Sequence, residues 1–162
     1  MISQDVHVFS GTLREDLTLA KPDATDDELL AALDRVRADW IHDLVDGLDT
    51  EVGARGHQLE PVEAQQLALA RILLLDPKVV VMDEATAEAG SASAGELEIA
   101  AEEVTRNRAA LVIAHRLDQA ARADRVAVMD QGRIVEQGTH AELVAAGGRY
   151  TDLWSAWSRG RA

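Results

Sequence analysis

The sequence predicts an α/β domain built on a parallel sheet. Three apolar stretches, residues 78–82, 110–114 and 125–129, have the length of strands and are separated by stretches of helical character. Strand–helix–strand alternation is the pattern of parallel βαβ units. Residues 78–82 and 110–114 are near-continuous apolar runs, the kind that parallel sheets bury on both faces. Composition permits such a core: 47% of the 162 residues are hydrophobic, which suits one domain of ordinary size. Only 3% are aromatic, so Leu, Val, Ile and Ala must fill it.

Taken in order, residues 6–9 form a short β-prone run ending at Ser10-Gly11, and residues 12–17 can form a helical turn. After the loop Lys21-Pro22-Asp23, residues 25–28 (TDDE) read as a capping box. It opens a helix with Leu29, Leu30, Leu33 and Val36 along one side. Trp40, Ile41 and Leu44 predict a further helical turn or two, and Gly47, Gly53 and Gly56 mark a loop over residues 46–58. Residues 61–75 read as a helix with Pro61 at its first position, where the missing N–H does no harm. Asp76-Pro77 ends it. Helices are expected over residues 92–106 and 117–122. Asp130-Gln131-Gly132 reads as a hairpin turn into residues 133–136. Residues 139–142 (THAE) form another capping box for a helix reaching Ala146. Gly147-Gly148 breaks it, and a last helix carries Tyr150, Leu153, Trp154 and Trp157.

The charge excludes some functions. Sixteen basic against 29 acidic residues leave a net −13, which argues against a nucleic-acid surface, because phosphate contacts dominate that affinity. There is no cysteine, hence no disulfide framework, thiolate metal site or cysteine nucleophile. No apolar run approaches the ~20 residues of a membrane helix, and residues 1–5 (MISQD) lack the features of a signal peptide. A cytoplasmic chain is the expectation, with any membrane association made through a partner.

Two features can carry chemistry. The run 79–82 (VVVM) leads into Asp83-Glu84, placing two carboxylates at the C-terminal edge of a parallel sheet, where such sheets bind ligands. An Asp there can hold Mg²⁺ through water, and a Glu can polarise an attacking water. Asp-Glu is also a common way to begin a loop. His115 follows the second apolar strand at the same edge; alone, a histidine there is more often packed or solvated. Together, two adjacent strands would bring Asp83, Glu84 and His115 to one rim.

Residues 79–86 (VVVMDEAT) and 111–117 (LVIAHRL) resemble the Walker B and switch-histidine segments of ATP-binding-cassette (ABC) nucleotide-binding domains. Residues 124–143 (DRVAVMDQGRIVEQGTHAEL) resemble the hairpin and helix that follow in that family. Residues 3–9 (SQDVHVF) look like its Q-loop, and residues 50–56 (TEVGARG) like the X-loop of exporter-type members. The resemblance runs in order from residue 2 to about residue 157. It implies the P-loop NTPase (RecA-like) ABC ATPase fold, truncated at its N-terminus, with a helical, signature-bearing subdomain over about 10–75 and a RecA-like α/β part over about 76–162. It also implies the cofactors ATP and Mg²⁺, with Asp83 organising Mg²⁺ and Glu84 acting as general base. His115 would touch the γ-phosphate. Gln4 would sense Mg²⁺ and the lytic water and couple the site to transmembrane helices. Residues 5–20 and 50–56 would face the coupling helices of a transmembrane domain, and localisation would be the cytoplasmic side of the plasma membrane.

Three departures qualify the resemblance. The Walker A phosphate loop is absent: the only lysines, Lys21 and Lys78, do not follow glycines. The signature L-S-G-G-Q is replaced by Leu59-Glu60-Pro61-Val62-Glu63, so that Glu60, Val62 and Glu63 stand where the family contacts the partner's nucleotide. The D-loop S-A-L-D becomes Ala87-Glu88-Ala89-Gly90, and the X-loop glutamate is Ala54. Retained Walker B residues beside a degenerate signature resemble one half of a heterodimeric exporter with one working site, its partners a transmembrane domain and a second nucleotide-binding domain. The alternative is a catalytically inactive remnant acting as an interaction module. A non-transport cassette protein is the weaker third reading, disfavoured by residues 50–56 and by the charge. Without Walker A the isolated chain is expected to be inactive.

Overall fold

The computed structural model describes residues 7–54, 56–83, 94–114 and 116–159. They form two compact units that divide between Ile113 and Ala114. The first holds β1 (Gly11–Thr12), α1 (Leu13–Thr18), α2 (Asp26–Arg35), β2 (Glu51–Val52), α3 (Pro61–Leu75), β3 (Val79–Asp83), α4 (Ala94–Thr105) and β4 (Ala109–Ile113). The second holds α5 (Leu117–Ala121), β5 (Val126–Asp130), β6 (Arg133–Gly138), α6 (His140–Ala146) and α7 (Arg149–Arg159).

Local sequence starts most of these helices. Thr12, Thr25 and Thr139 cap α1, α2 and α6, each hydroxyl accepting the N–H of a glutamate three residues on. Each glutamate carboxylate returns to the threonine N–H, at 2.9 Å for Glu15, 2.9 Å for Glu28 and 2.8 Å for Glu142. Two orphan donors per helix are thereby satisfied. These bonds hold the Glu142 carboxyl below its ordinary range; for Glu28 the Lys21 ammonium is the larger cause. Thr25→Ala is expected to lower stability by about 1 kcal/mol, read as a shift in urea midpoint with an unchanged slope. At the other end, α3 stops at Asp76 in the left-handed conformation, with Pro77 next.

One core serves the first unit. Leu13 and Leu17 of α1, Leu29 and Leu33 of α2, and Leu67 and Leu69 of α3 are fully buried. They join Val80 and Met82 of β3 and Leu97, Ala100, Ala101 and Val104 of α4 in a single cluster. β3 and β4 are parallel and in register from Val79↔Ala109 to Asp83↔Ile113. This pair is not buried on both faces as its apolar sequence predicts. Val80 and Met82 turn into the core, while Val79, Leu111 and Ile113 are 63%, 62% and 46% exposed. Helices cover one side only among the described residues.

Other expectations shift similarly. Residues 7–9 form no strand; β1 lies later, pairing antiparallel with β2. The reason is that the His7 carbonyl and Phe9 N–H are bonded to side chains and not to a ladder. Around Trp40 there is one 3-10 turn, Asp39–Asp43, and a second, Gly47–Asp49, lies within the predicted 46–58 loop. β5, expected as the third strand, pairs only with β6 among the described residues, across the predicted hairpin turn. Gln131 and Gly132 both take positive φ there, 46° and 76°, as that turn requires.

In the second unit, α7 is capped from a distance. The Glu136 carboxylate of β6 accepts the Arg149 N–H at 2.5 Å and the Tyr150 N–H at 2.9 Å. Tyr150 is buried, with its hydroxyl 2.7 Å from His140 Nδ1. No helix among the described residues is long and apolar enough to cross a membrane.

Candidate functional site

The parallel pair β3–β4 positions the first candidate. Asp83 is the last residue of β3, half-buried, and lies in register with Ile113, the last of β4. Ladder pairing therefore ends both strands at one C-terminal edge, the edge from which Glu84 and, two residues past Ile113, His115 continue in sequence. Glu84, His115 and Gln4 lie outside the described residues, as do the D-loop positions 87–90. Asp83 offers a hard carboxylate oxygen at a sheet edge, a donor suited to Mg²⁺, which is typically held by one or two carboxylates together with phosphate oxygens. No group of three or more His, Cys, Asp or Glu among the described residues forms a metal cage.

The second candidate is the N-terminus of α3, where Glu60, Val62 and Glu63 stand. Glu60 is the N-cap and exposed; Val62 is half-buried and packs on the core. Glu63 turns back and accepts the Glu60 N–H at 2.8 Å. A helix N-terminus otherwise presents free N–H groups and a positive dipole end to an anion. Here Pro61 removes one donor, and the Glu63 carboxylate supplies the anion itself. One turn further, Gln66 is buried and ties α3 to the stretch that follows α2. It accepts from Trp40 Nε1 at 2.9 Å and donates to the Arg37 carbonyl at 2.6 Å. No hydrogen bond or ion pair among the described residues joins this helix end to Asp83.

A third cluster was not legible as a site in the sequence. Asp16 of α1 is 1% exposed and bonds Arg71 of α3, 16% exposed, at 3.0 Å. Its other oxygen accepts the Phe9 N–H at 2.9 Å. Arg71 also donates to the His7 carbonyl at 2.8 Å and lies 5.4 Å over the Phe9 ring. Burial pushes the Asp16 carboxyl up from its ordinary range, against the opposing pull of the Phe9 N–H and of Arg71. The available signal was a carboxylate on the same helical face as Leu13, which local patterning treats as a solvated position.

Comparisons place this geometry among known proteins. No protein-family model matches. The chain is 39% identical over 165 residues to the ABC transporter aclQ of Aspergillus oryzae, covering 99% of this chain and 20% of that protein. It is 40% identical over 156 residues to a multidrug export ATP-binding/permease protein of Staphylococcus aureus, covering 96% of this chain and 27% of that one. Among solved structures, a bacterial Atm1-family ABC exporter with ATP bound superposes with a TM-score of 0.81 at 34% identity, over 96% of this chain and 28% of the exporter. The chain thus spans between 20% and 28% of the length of these relatives.

Proposed function

This chain belongs to the ABC transporter family, with an ABC exporter fold over 96% of its length, and from that premise we propose that it is the C-terminal portion of an exporter's ATP-binding, ATP-hydrolysing domain. The observation that carries the proposal is Asp83 at the C-terminal edge of the β3–β4 pair, with Glu84 next in sequence after β3 and His115 two residues past β4. In this reading Asp83 and Gln4 would hold Mg²⁺. Mg²⁺ would supply charge neutralisation at the β- and γ-phosphates. Glu84 takes a proton from the attacking water, and His115 donates to the γ-phosphate. Residues 5–20 and 50–56 face a transmembrane domain, which puts the chain on the cytoplasmic side of the membrane.

The uneven retention supports a heterodimer with one working site. Asp83, Glu84, His115 and Gln4 serve the nucleotide of this subunit, while Glu60, Val62 and Glu63 face that of the partner. The self-capped start of α3 favours a second reading, a non-catalytic module that dimerises with an intact nucleotide-binding domain.

A chimera separates the two. A Walker A segment from an intact nucleotide-binding domain, joined ahead of residue 1, would supply the phosphate loop that this reading requires. Phosphate release, measured in the chimera paired with an intact partner domain, is expected to be Mg²⁺-dependent and to fall about 10²–10⁴-fold in Glu84→Gln. Dimerisation without turnover favours the module. Residues 1–162 alone are expected to show no turnover; hydrolysis abolished by Glu84→Gln in that chain would overturn the need for an upstream phosphate loop.

A further inference from the structure

We propose that Arg71 is a positioning residue: it clasps the segment that leads out of Gln4 onto α1 and α3, so that residues 7–9 follow those helices. The inference rests on reading Gln4 as the site glutamine, but its geometry stands on described residues alone.

Three polar contacts converge on two side chains. The Arg71 fork gives Nη1 to Asp16 Oδ1 at 3.0 Å and Nη2 to the His7 carbonyl at 2.8 Å. Asp16 Oδ2 takes the Phe9 N–H at 2.9 Å. The backbone of residues 7–9 has no ladder partner, so the clasp is what satisfies these two main-chain groups. Apolar burial alone does not pin the segment. Val8 packs against the core, but Phe9 stays 44% exposed. The Phe9 ring lies under the guanidinium and carries the His7 ring edge-on at 4.6 Å. Only arginine fits this arrangement: its planar head donates in two directions and stacks at once, whereas a lysine ammonium is a compact point charge on a flexible stem.

The same helix begins at Glu60 and Pro61. Arg71 therefore ties the exit of the glutamine segment to the helix that bears the signature position. A displacement of either, driven by nucleotide or by a transmembrane domain, would be passed to the other through one guanidinium.

Backbone hydrogen exchange, followed by NMR on the full 162-residue chain, tests this. Arg71→Lys keeps the charge beside Asp16, so the fold is retained, and it forfeits the fork. The Phe9 amide is expected to exchange about tenfold faster, while amides of Leu29, Leu33, Leu69 and Leu73 change less than twofold. Asp16→Asn, which removes the charge and keeps an acceptor, is expected to do the same. A uniform acceleration across α2 and α3 would mean a merely structural role and would overturn the proposal, as would unchanged protection at Phe9. Should Asp16→Asn fail to fold, Arg71→Lys decides. No nucleotide enters the measurement, so its failure leaves the ATP-site reading intact, and a silent chimera leaves the clasp intact.

Discussion

Replacing Asp16 by alanine is expected to destabilise the chain by about 3–5 kcal/mol, read from urea unfolding by far-UV circular dichroism. The substitution leaves the Arg71 guanidinium, 16% exposed, without its carboxylate. It also orphans the Phe9 N–H. Removing one partner of a buried pair is the costly case, because the remaining charge stays desolvated. Removing both is different. Asp16→Leu combined with Arg71→Met is expected to recover more than half of the loss, since no unpaired charge is then left desolvated. A single-mutant loss below about 1 kcal/mol would show that water reaches the pair freely.

The pH dependence has a definite sign. Burial raises the folded-state pKa of Asp16, so its contribution to stability is present below the ordinary Asp range and is lost as pH rises through the raised value. Glu28, Glu103 and Glu142 are lowered, chiefly by Lys21, by Arg35 and by the Thr139 N–H respectively. Their contributions run the other way, present above the ordinary Glu range and lost as pH falls through the lowered values. On acidification these three glutamates are therefore expected to lose a small, solvent-screened contribution, partly opposed by Asp16. In Asp16→Leu/Arg71→Met the opposition disappears, and the fall in stability on acidification should steepen.

Restoring residues 60–63 to Ser-Gly-Gly-Gln is expected to raise turnover at the partner's nucleotide at least about tenfold in the assembled exporter, and to weaken the chain itself. A carboxylate about 4 Å from a phosphate charge is unfavourable by about 4 kcal/mol at an effective dielectric of 20. The positive end of a helix contributes at most about 2 kcal/mol in return. Removing Glu60 and Glu63 reverses that balance, and removing Pro61 returns a donor. The serine and glutamine introduced at positions 60 and 63 would themselves form a capping box in place of the Glu63 bond to the Glu60 N–H, so the expected loss of stability, about 1 kcal/mol, comes from the two glycines that replace Pro61 and Val62. Phosphate release and urea midpoint, measured on the same variant, should move in opposite directions. Unchanged turnover in the full assembly would remove the case for a degenerate site.

Much of the secondary structure could be read directly from local chemistry. The threonine–glutamate pairs at 25–28 and 139–142 start α2 and α6, Pro61 starts α3, Asp76-Pro77 ends it, and Gln131-Gly132 turns the β5–β6 hairpin. Each of these signals acts over a few residues and depends on no distant partner. The order of Asp83, Glu84 and His115 along the chain, and the family they point to, were likewise set by the sequence. Where the partner lies far away in the chain, only tertiary structure decided the outcome. Asp16 and Arg71 are 55 positions apart, and their pairing keeps residues 7–9 out of a ladder. β3 and β4 read as doubly buried, because apolar composition reports what a strand tolerates and not how many layers cover it; Val79 and Leu111 remain open. The sequence puts Glu63 at a signature position, and only the fold shows that its carboxylate accepts the Glu60 N–H one turn back, an orphan donor at the helix start.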